Sequence, residues 1–370
     1  MTTDSVTDAL RDSVREVLAR ESDSARLHQF VDSGRLHDEA LWREAAALGW
    51  TALAVPEAFD GLALDAVETE AVCEELGRVL APIPLLGSLL TVRALALAGS
   101  PPQQARWLPG LASGALKGAV AAPVAERGAP APLARRTGDF LFIEGMAANV
   151  LQGGEADLVI VPVRLETGDI AFVAVEPASD GATLTVEVTQ DRTRHLARLQ
   201  MSGLRLPLDR LLTACAAADL ARALQAEADL ALAADSVGGA EAIFERTLDY
   251  LKTREQFGKP IGSFQALKHR CADHKVALAA SAAVVREAAR LLADGAASAP
   301  LMCALSRAYA GEVYAKTAED AVQLHGGIGF TWEHDCHLYL KRAKLNQALF
   351  GTTAVAYDRA ADLLLNAARP

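Results

Sequence analysis

The stretch from Tyr250 to His274, YLKTREQFGKPIGSFQALKHRCADH, constrains this chain more than any other. An Ala- and Leu-rich helical run arrives from before Asp249, breaks at Gly258, Pro260 and Gly262, and restarts at Phe264 behind Ser263 as N-cap. This predicts two long helices joined by a tight connection. Arg254 stands just before the break and Gln265 just after it. A planar, permanently charged guanidinium beside a helix start suits a diphosphate. It suits water equally well, as a solvated surface charge, and the stretch alone leaves both readings open.

A chain of 370 residues exceeds one compact core and implies two or three domains. Its formal net charge of −11 argues against nucleic acid or an anionic membrane as partner, and the scattered charges serve solubility. Cys73, Cys215, Cys271, Cys303 and Cys336 are far apart, odd in number and without a CxxC. That pattern predicts reduced thiols and a cytoplasmic location, with no disulfide framework or zinc cluster. The opening residues, MTTDSVTDALRDSVREVLARE, carry acids and no apolar run, so no signal peptide is expected. No stretch spans a bilayer without charges, and no membrane attachment is expected. Among the histidines, His269 and His274 are five apart, off ligand spacing, and no metal site is expected. His334 and His337 flank a predicted helix start, where capping is the expected role.

Taken in order, residues 1–115 read as an N-terminal α-helical domain. Val6, Leu10, Val14 and Val17-Leu18 mark one apolar face, Leu41, Ala45 and Leu48 another, and Trp42 and Trp50 read as core. Residues 116–215 change texture. Phe140 to Ile143, Leu158 to Val163, Ile170 to Val175 and Leu184 to Val188 are short β-branched runs between Gly, Asp and Pro, predicting a small antiparallel β domain. From 216 to 370 helices return, with Ala266 to Asp294, Leu301 to His325, His334 to Ala348 and Thr353 to Ala368 following the long first one. Long helices with short links predict an antiparallel bundle, and the class is α+β.

REQFGKPIGSFQ, together with Gln323-Leu324-His325-Gly326-Gly327-Ile328-Gly329-Phe330-Thr331-Trp332-Glu333-His334-Asp335, resembles the C-terminal signatures of the acyl-CoA dehydrogenase family. LGW at Leu48 to Trp50, VPEAFDG at Val55 to Gly61 and EELGR at Glu74 to Arg78 extend the resemblance over essentially the whole chain. It implies an N-terminal helical domain, a middle antiparallel β-barrel and a C-terminal four-helix bundle that carries FAD contacts and the oligomer interface. It also implies FAD as cofactor, an acyl-CoA substrate and electron-transfer flavoprotein as acceptor. Members of the family grip one FAD from two subunits: the middle domain holds the flavin ring, and the neighbour's helical domain holds the diphosphate and adenosine.

The neighbour-side half of that site is represented. The resemblance assigns cofactor contacts to Arg254, Phe257, Gln265, Gln323, Gly326 and Gly327. The ring-side half departs from the pattern. Ala121-Ala122-Pro123, then Val124 to Arg127, stands where the family has a Thr-Glu-Pro segment. Asn149-Val150-Leu151-Gln152 stands where it has Trp-Ile-Thr-Asn, ahead of Gly153-Gly154-Glu155-Ala156-Asp157. Past Tyr339 to Arg342, Leu349-Phe350-Gly351-Thr352 replaces Tyr-Glu-Gly-Thr, so Phe350 stands at the usual glutamate position. Some relatives carry the base on the preceding long helix, where this chain has Ala228; Glu227 is next to it, about 100° around the helix.

Retained far-side contacts with three losses around the flavin ring resemble the non-catalytic subunit of actinobacterial heteromeric α2β2 enzymes of steroid side-chain breakdown. That implies a homologous partner subunit and a bulky acyl-CoA. Two alternatives stay open: a self-sufficient homo-oligomeric dehydrogenase using Glu227, and a non-catalytic scaffold binding acyl-CoA or FAD.

Overall fold

A computed structural model describes residues 3–121 and 131–367. The chain divides into two compact units, one of Met1–Asp32, Ala66–Ala81 and Asp229–Pro370, the other of Ser33–Asp65 and Pro82–Ala228. Along the sequence the order is helices, then a sheet, then helices. No helix among the described residues is long and apolar enough to cross a membrane.

The first unit is helical apart from one small hairpin. Helices Thr3–Glu21 and Ala66–Arg78 precede the bundle formed by Ala217–Thr253 (from Asp229 on), Gln265–Ala293, Ala299–His325, Cys336–Ala348 and Thr353–Ala367. Phe30, Ile243, Phe244, Tyr314 and Tyr339 fill its core. Val14 and Leu18 are buried as their spacing predicts, whereas Val6 remains exposed. The Thr3–Glu21 helix is clamped by Arg11 to Glu70 (3.1 Å) and Glu74 (2.6 Å) and by Arg15 to Glu75 (2.6 Å). Two helices meet backbone to backbone at glycines. A Cβ at Gly238 would lie 1.8 Å from the Glu74 carbonyl oxygen, and one at Gly77 would lie 2.3 Å from that of Asp235. Glycine's cost to helix propensity is accepted there because nothing larger fits.

The second unit holds the helices Glu39–Ala47, Leu85–Ala98 and Pro101–Ala112 and the large sheet. Trp42 and Trp50 are buried, as expected, and the Trp42 indole N–H donates to the Gly114 carbonyl at 3.0 Å. Leu41 and Ala45 are buried too, while Leu48, at the helix C-cap, is exposed. Three of the four runs read from sequence lie in the strands Phe140–Leu151, Leu158–Leu165 and Ile170–Val175, and the fourth, Leu184 to Val188, overruns the strand Thr183–Val186 by two residues. Gly118–Val120, Leu133–Thr137, Leu196–Pro207 and Leu211–Leu212 join them.

The sheet is mixed, which corrects the wholly antiparallel expectation. Leu158–Leu165 pairs antiparallel with Ile170–Val175 but parallel with both Gly118–Val120 and Leu133–Thr137. Parallel neighbours are distant in sequence, so the run-and-turn pattern that reveals a hairpin cannot reveal them. The hydrogen-bonded path runs from Thr183–Val186 to Leu211–Leu212, and among the described residues no pairing joins its two ends. Val159, Val161, Val173, Ile143 and Leu199 form the sheet's buried core.

Candidate functional site

The break after the long helix is a two-stranded hairpin, Glu255–Gln256 against Lys259–Pro260, followed by the turn Ile261–Ser263 and the Gln265–Ala293 helix. Its base is closed by the Ile261 N–H donating to the Arg254 carbonyl at 2.8 Å. Its tip carries Phe257 in the left-handed region (φ 55°), with the side chain 90% exposed. A strained, solvated phenylalanine at a hairpin tip is a feature that a ligand or partner would relieve. Phe264 lies edge-on to it at 6.1 Å, and the Lys259 ammonium sits over Phe264 at 4.4 Å. The Arg254 side chain is exposed and, among the described residues, meets no carboxylate. Gln265 opens the following helix, also exposed.

Ser263 does not cap that helix. Phe264 takes the N-cap position with no side-chain bond, because Ile261–Ser263 is already coiled into its own tight turn. The Ser263 hydroxyl oxygen is buried without a hydrogen-bond partner.

The second motif lies at the C-terminal end of Ala299–His325. Gly326 ends the helix with φ 64° and ψ −140°, a conformation that favours glycine, and its N–H donates to the Gln323 carbonyl. A Cβ built at Gly326 or Gly327 would meet nothing within 4 Å, so the backbone here is open to approach. Gln323, Gly326 and Gly327 are all exposed. Tyr250 links the two motifs: its ring stacks on His325 at 4.4 Å, and its hydroxyl donates to the His325 carbonyl at 3.4 Å. Sequence reading assigned Tyr250 no role; its place four residues before Arg254, in the last turn of the helix that Arg254 follows, was the available signal. The uncommitted guanidinium, the open glycine backbone and the exposed aromatic ring suit the diphosphate and adenosine of a dinucleotide.

Asp335 is a hub that sequence reading missed. It accepts from Ser24 (2.7 Å), meets the His28 ring nitrogen at 2.8 Å and pairs with Arg246. These cationic and hydroxyl partners outweigh burial and hold its pKa below the ordinary carboxylate value. Trp332 stacks on His337 at 4.7 Å, and Lys341 lies over Trp332 at 5.0 Å. The capping role expected at 334 and 337 falls to His334 alone, whose Nδ1 accepts from the Cys336 N–H at 3.3 Å.

The positions matched to the ring side are differently furnished. Ala121 is buried and bridges to Val150, whereas Ala122 to Arg127 lie outside the described residues. Asn149 and Gln152 both adopt positive φ (53° and 54°), and Leu151 is fully buried. The Gln152 amide turns inward, accepting from the Gly87 N–H at 3.2 Å and donating to the Ile83 carbonyl. Phe350 is buried in a turn at φ 52°. That turn is gripped by Arg307, which donates to the carbonyls of Asn346 and Gly351 (both 2.8 Å) and of Leu349. Ala228 is buried. Glu227 pairs with Arg93 at 3.1 Å; burial raises its pKa and Arg93 opposes that rise.

Two family descriptions match: the acyl-CoA dehydrogenase N-terminal domain over residues 5–115 and the C-terminal domain over 221–365. The chain is 36% identical to the acyl-CoA dehydrogenase IpdE2 of Mycobacterium tuberculosis over 341 residues, covering 90% of this chain and 89% of that one. Among solved structures, it superimposes on the ChsE4-ChsE5 complex of M. tuberculosis with a TM-score of 0.90 at 28% identity, covering 100% of this chain and 99% of that one. It superimposes on a Tcur3481-Tcur3483 steroid ACAD variant with a TM-score of 0.89 at 28% identity, covering 99% of each chain.

Proposed function

The chain belongs to the acyl-CoA dehydrogenase family, and within it we propose the role of a partner subunit that completes another subunit's FAD site. The observation that carries this reading is a contrast within one chain. Arg254, Phe257, Gln265, Gln323, Gly326 and Gly327 are exposed and ready for a ligand, while Leu151 and Phe350 are buried and offer no donor or base.

FAD, the family's cofactor, supplies when bound the oxidising power that removes two hydrogens from adjacent carbons of an acyl-CoA thioester. In this reading Arg254 holds the diphosphate through two charge-assisted hydrogen bonds. The glycine backbone at Gly326-Gly327 lets nucleotide oxygens approach closely, and Gln265 and Gln323 orient them. Phe257 covers the adenosine. Proton abstraction next to the thioester needs a base within hydrogen-bond reach of that carbon. Phe350 has no basic atom, so the base belongs to the partner. The likeness to heteromeric ChsE4-ChsE5 and to a steroid ACAD supports an α2β2 assembly acting on a steroid-derived or similarly bulky acyl-CoA, with electron-transfer flavoprotein as acceptor. Against the self-sufficient reading, Glu227 is already engaged by Arg93.

Purification of the chain alone and with a co-expressed partner tests this. The lone chain is expected to hold little flavin and the complex about one FAD per pair of unlike chains, read at the flavin's visible band. Stoichiometric FAD on the lone chain overturns the proposal.

A further inference from the structure

We infer that His325, His334 and Cys336 form a site for one divalent metal ion of the zinc class, pinning together the two ends of the loop that carries Gly326 and Gly327. The three side chains each offer one donor atom, and all three atoms lie within 4.8 Å of one another. They come from the last residue of one helix, the connecting loop and the first residue of the next helix. Spacing could not reveal them, because the chain folds back through Gly326–Phe330 to bring residue 325 against 334 and 336.

The donors are chemically suited to a borderline-soft cation. Imidazole nitrogen and thiolate sulfur are both zinc ligands, and three protein ligands with a fourth position left for water is an arrangement zinc accepts; two imidazoles and one thiolate also suit copper. The His325 Nδ1 lies 2.8 Å from the Ala321 carbonyl and 3.4 Å from Cys336 Sγ: ligation through Nδ1 exchanges the Ala321 bond for the ion, and ligation through Nε2 keeps that bond as the orienting one. The His325 and His334 rings are 4.3 Å apart. Among the described residues the His334 ring makes one hydrogen bond, to its Nδ1 from the Cys336 N–H at 3.3 Å, so coordination through Nε2 leaves it intact. A tetrahedral zinc site places its donors roughly 3.5 Å apart. Closing the present window by about an ångström lies within reach of side-chain torsions of His334, which is half-buried.

The surroundings favour this charge balance. The ion displaces the Cys336 thiol proton: the S–H bond breaks, the S–metal bond forms and one proton leaves to solvent. Arg246 is paired with Asp335 and so opposes the ion less. His337 is engaged by Lys341 (3.3 Å) and is not a donor.

The test uses the full-length, untagged, chelator-treated chain, alone or with its partner subunit, titrated with Co(II). The expected result is a thiolate-to-cobalt absorption band that saturates at one ion per chain, is displaced by Zn(II) and releases one proton per ion. Cys336→Ser is expected to abolish the band. His334→Ala is expected to weaken cobalt binding more than about 100-fold, since even outer-shell partners are worth 10–100-fold. Cys271→Ser is expected to leave the band intact. Circular dichroism checks that each variant folds, and His334→Ala decides the matter if Cys336→Ser does not. Hydrogen exchange across residues 326–330 is expected to slow on adding Zn(II). Absence of the band in the native chain, its survival in Cys336→Ser or in His334→Ala, or unchanged exchange overturns the inference.

Discussion

Phe350→Glu restores a carboxylate at the position where the family carries its base. The side chain is 5% exposed, so replacing the ring forfeits roughly 2 kcal/mol of apolar burial. The new carboxyl enters an apolar turn whose neighbouring carbonyls are already bound by Arg307. Keeping it protonated at pH 7 against an ordinary pKa of about 4.3 costs at most about 3.7 kcal/mol. Any pairing with Arg307 reduces that figure but breaks the grip on the turn. The expected loss is therefore about 2–6 kcal/mol, a melting temperature lower by about 3–8 °C for a chain of this size. The sign with pH follows from a raised folded-state pKa. The deficit is full at neutral pH and shrinks as pH falls towards 5, where the unfolded-state carboxyl also begins to protonate.

Activity is the decisive measurement. In the complex with its partner, turnover per bound FAD and FAD content are expected to stay unchanged. A base serves only where the flavin ring lies across the substrate from it. Buried Ala121 and Leu151 carry no edge donor, and Asn149, standing where the family has Trp, is no aromatic platform. Thermal melts at pH 7 and 5.5, flavin absorbance and steady-state turnover together report the outcome. A rise in both turnover and FAD content towards two per heterodimer would refute this reasoning and favour a complete dehydrogenase.

Arg254→Ala is expected to weaken FAD retention by the complex by about 1.5–3 kcal/mol, roughly 10- to 150-fold, with Arg254→Lys rescuing only part; unchanged retention through dialysis counts against the contact. Burial and the neighbouring Glu74 push the Glu70 carboxyl up to about 8. Its stabilising contribution is thus full below pH 4.5 and fades as pH rises to 8, so Glu70→Gln is expected to flatten the stability–pH curve over that window, measured by denaturant melts. Gly238→Ala forces a Cβ to 1.8 Å from the Glu74 carbonyl oxygen and is expected to lower stability by more than about 3 kcal/mol. A near-neutral melt would show that the two helices can separate without loss.

The sequence by itself determined the order of helices, sheet and helices, because apolar spacing changes from helical to β-branched runs near residue 116 and back near 216. The family resemblance marked Arg254, Phe257, Gln265, Gln323, Gly326 and Gly327; by local pattern alone only Arg254 and Gln265 stood out, at a helix break. Leu196–Pro207 was legible too: its buried and exposed residues largely alternate, a period that a reading centred on β-branched runs passes over. Tertiary structure alone decided the rest. Parallel pairing of Leu158–Leu165 with two strands depends on which way the chain returns, and no local pattern encodes that. Contact between Gly77 and Gly238 joins helices about 160 residues apart, where sequence shows only two glycines that weaken helices. Asp335 gathers Ser24, His28 and Arg246 from distant segments, and His325 reaches Cys336 only once a loop has closed. Periodicity specifies which face of an element is apolar, but the partner that face or side chain meets is chosen only when the whole chain packs.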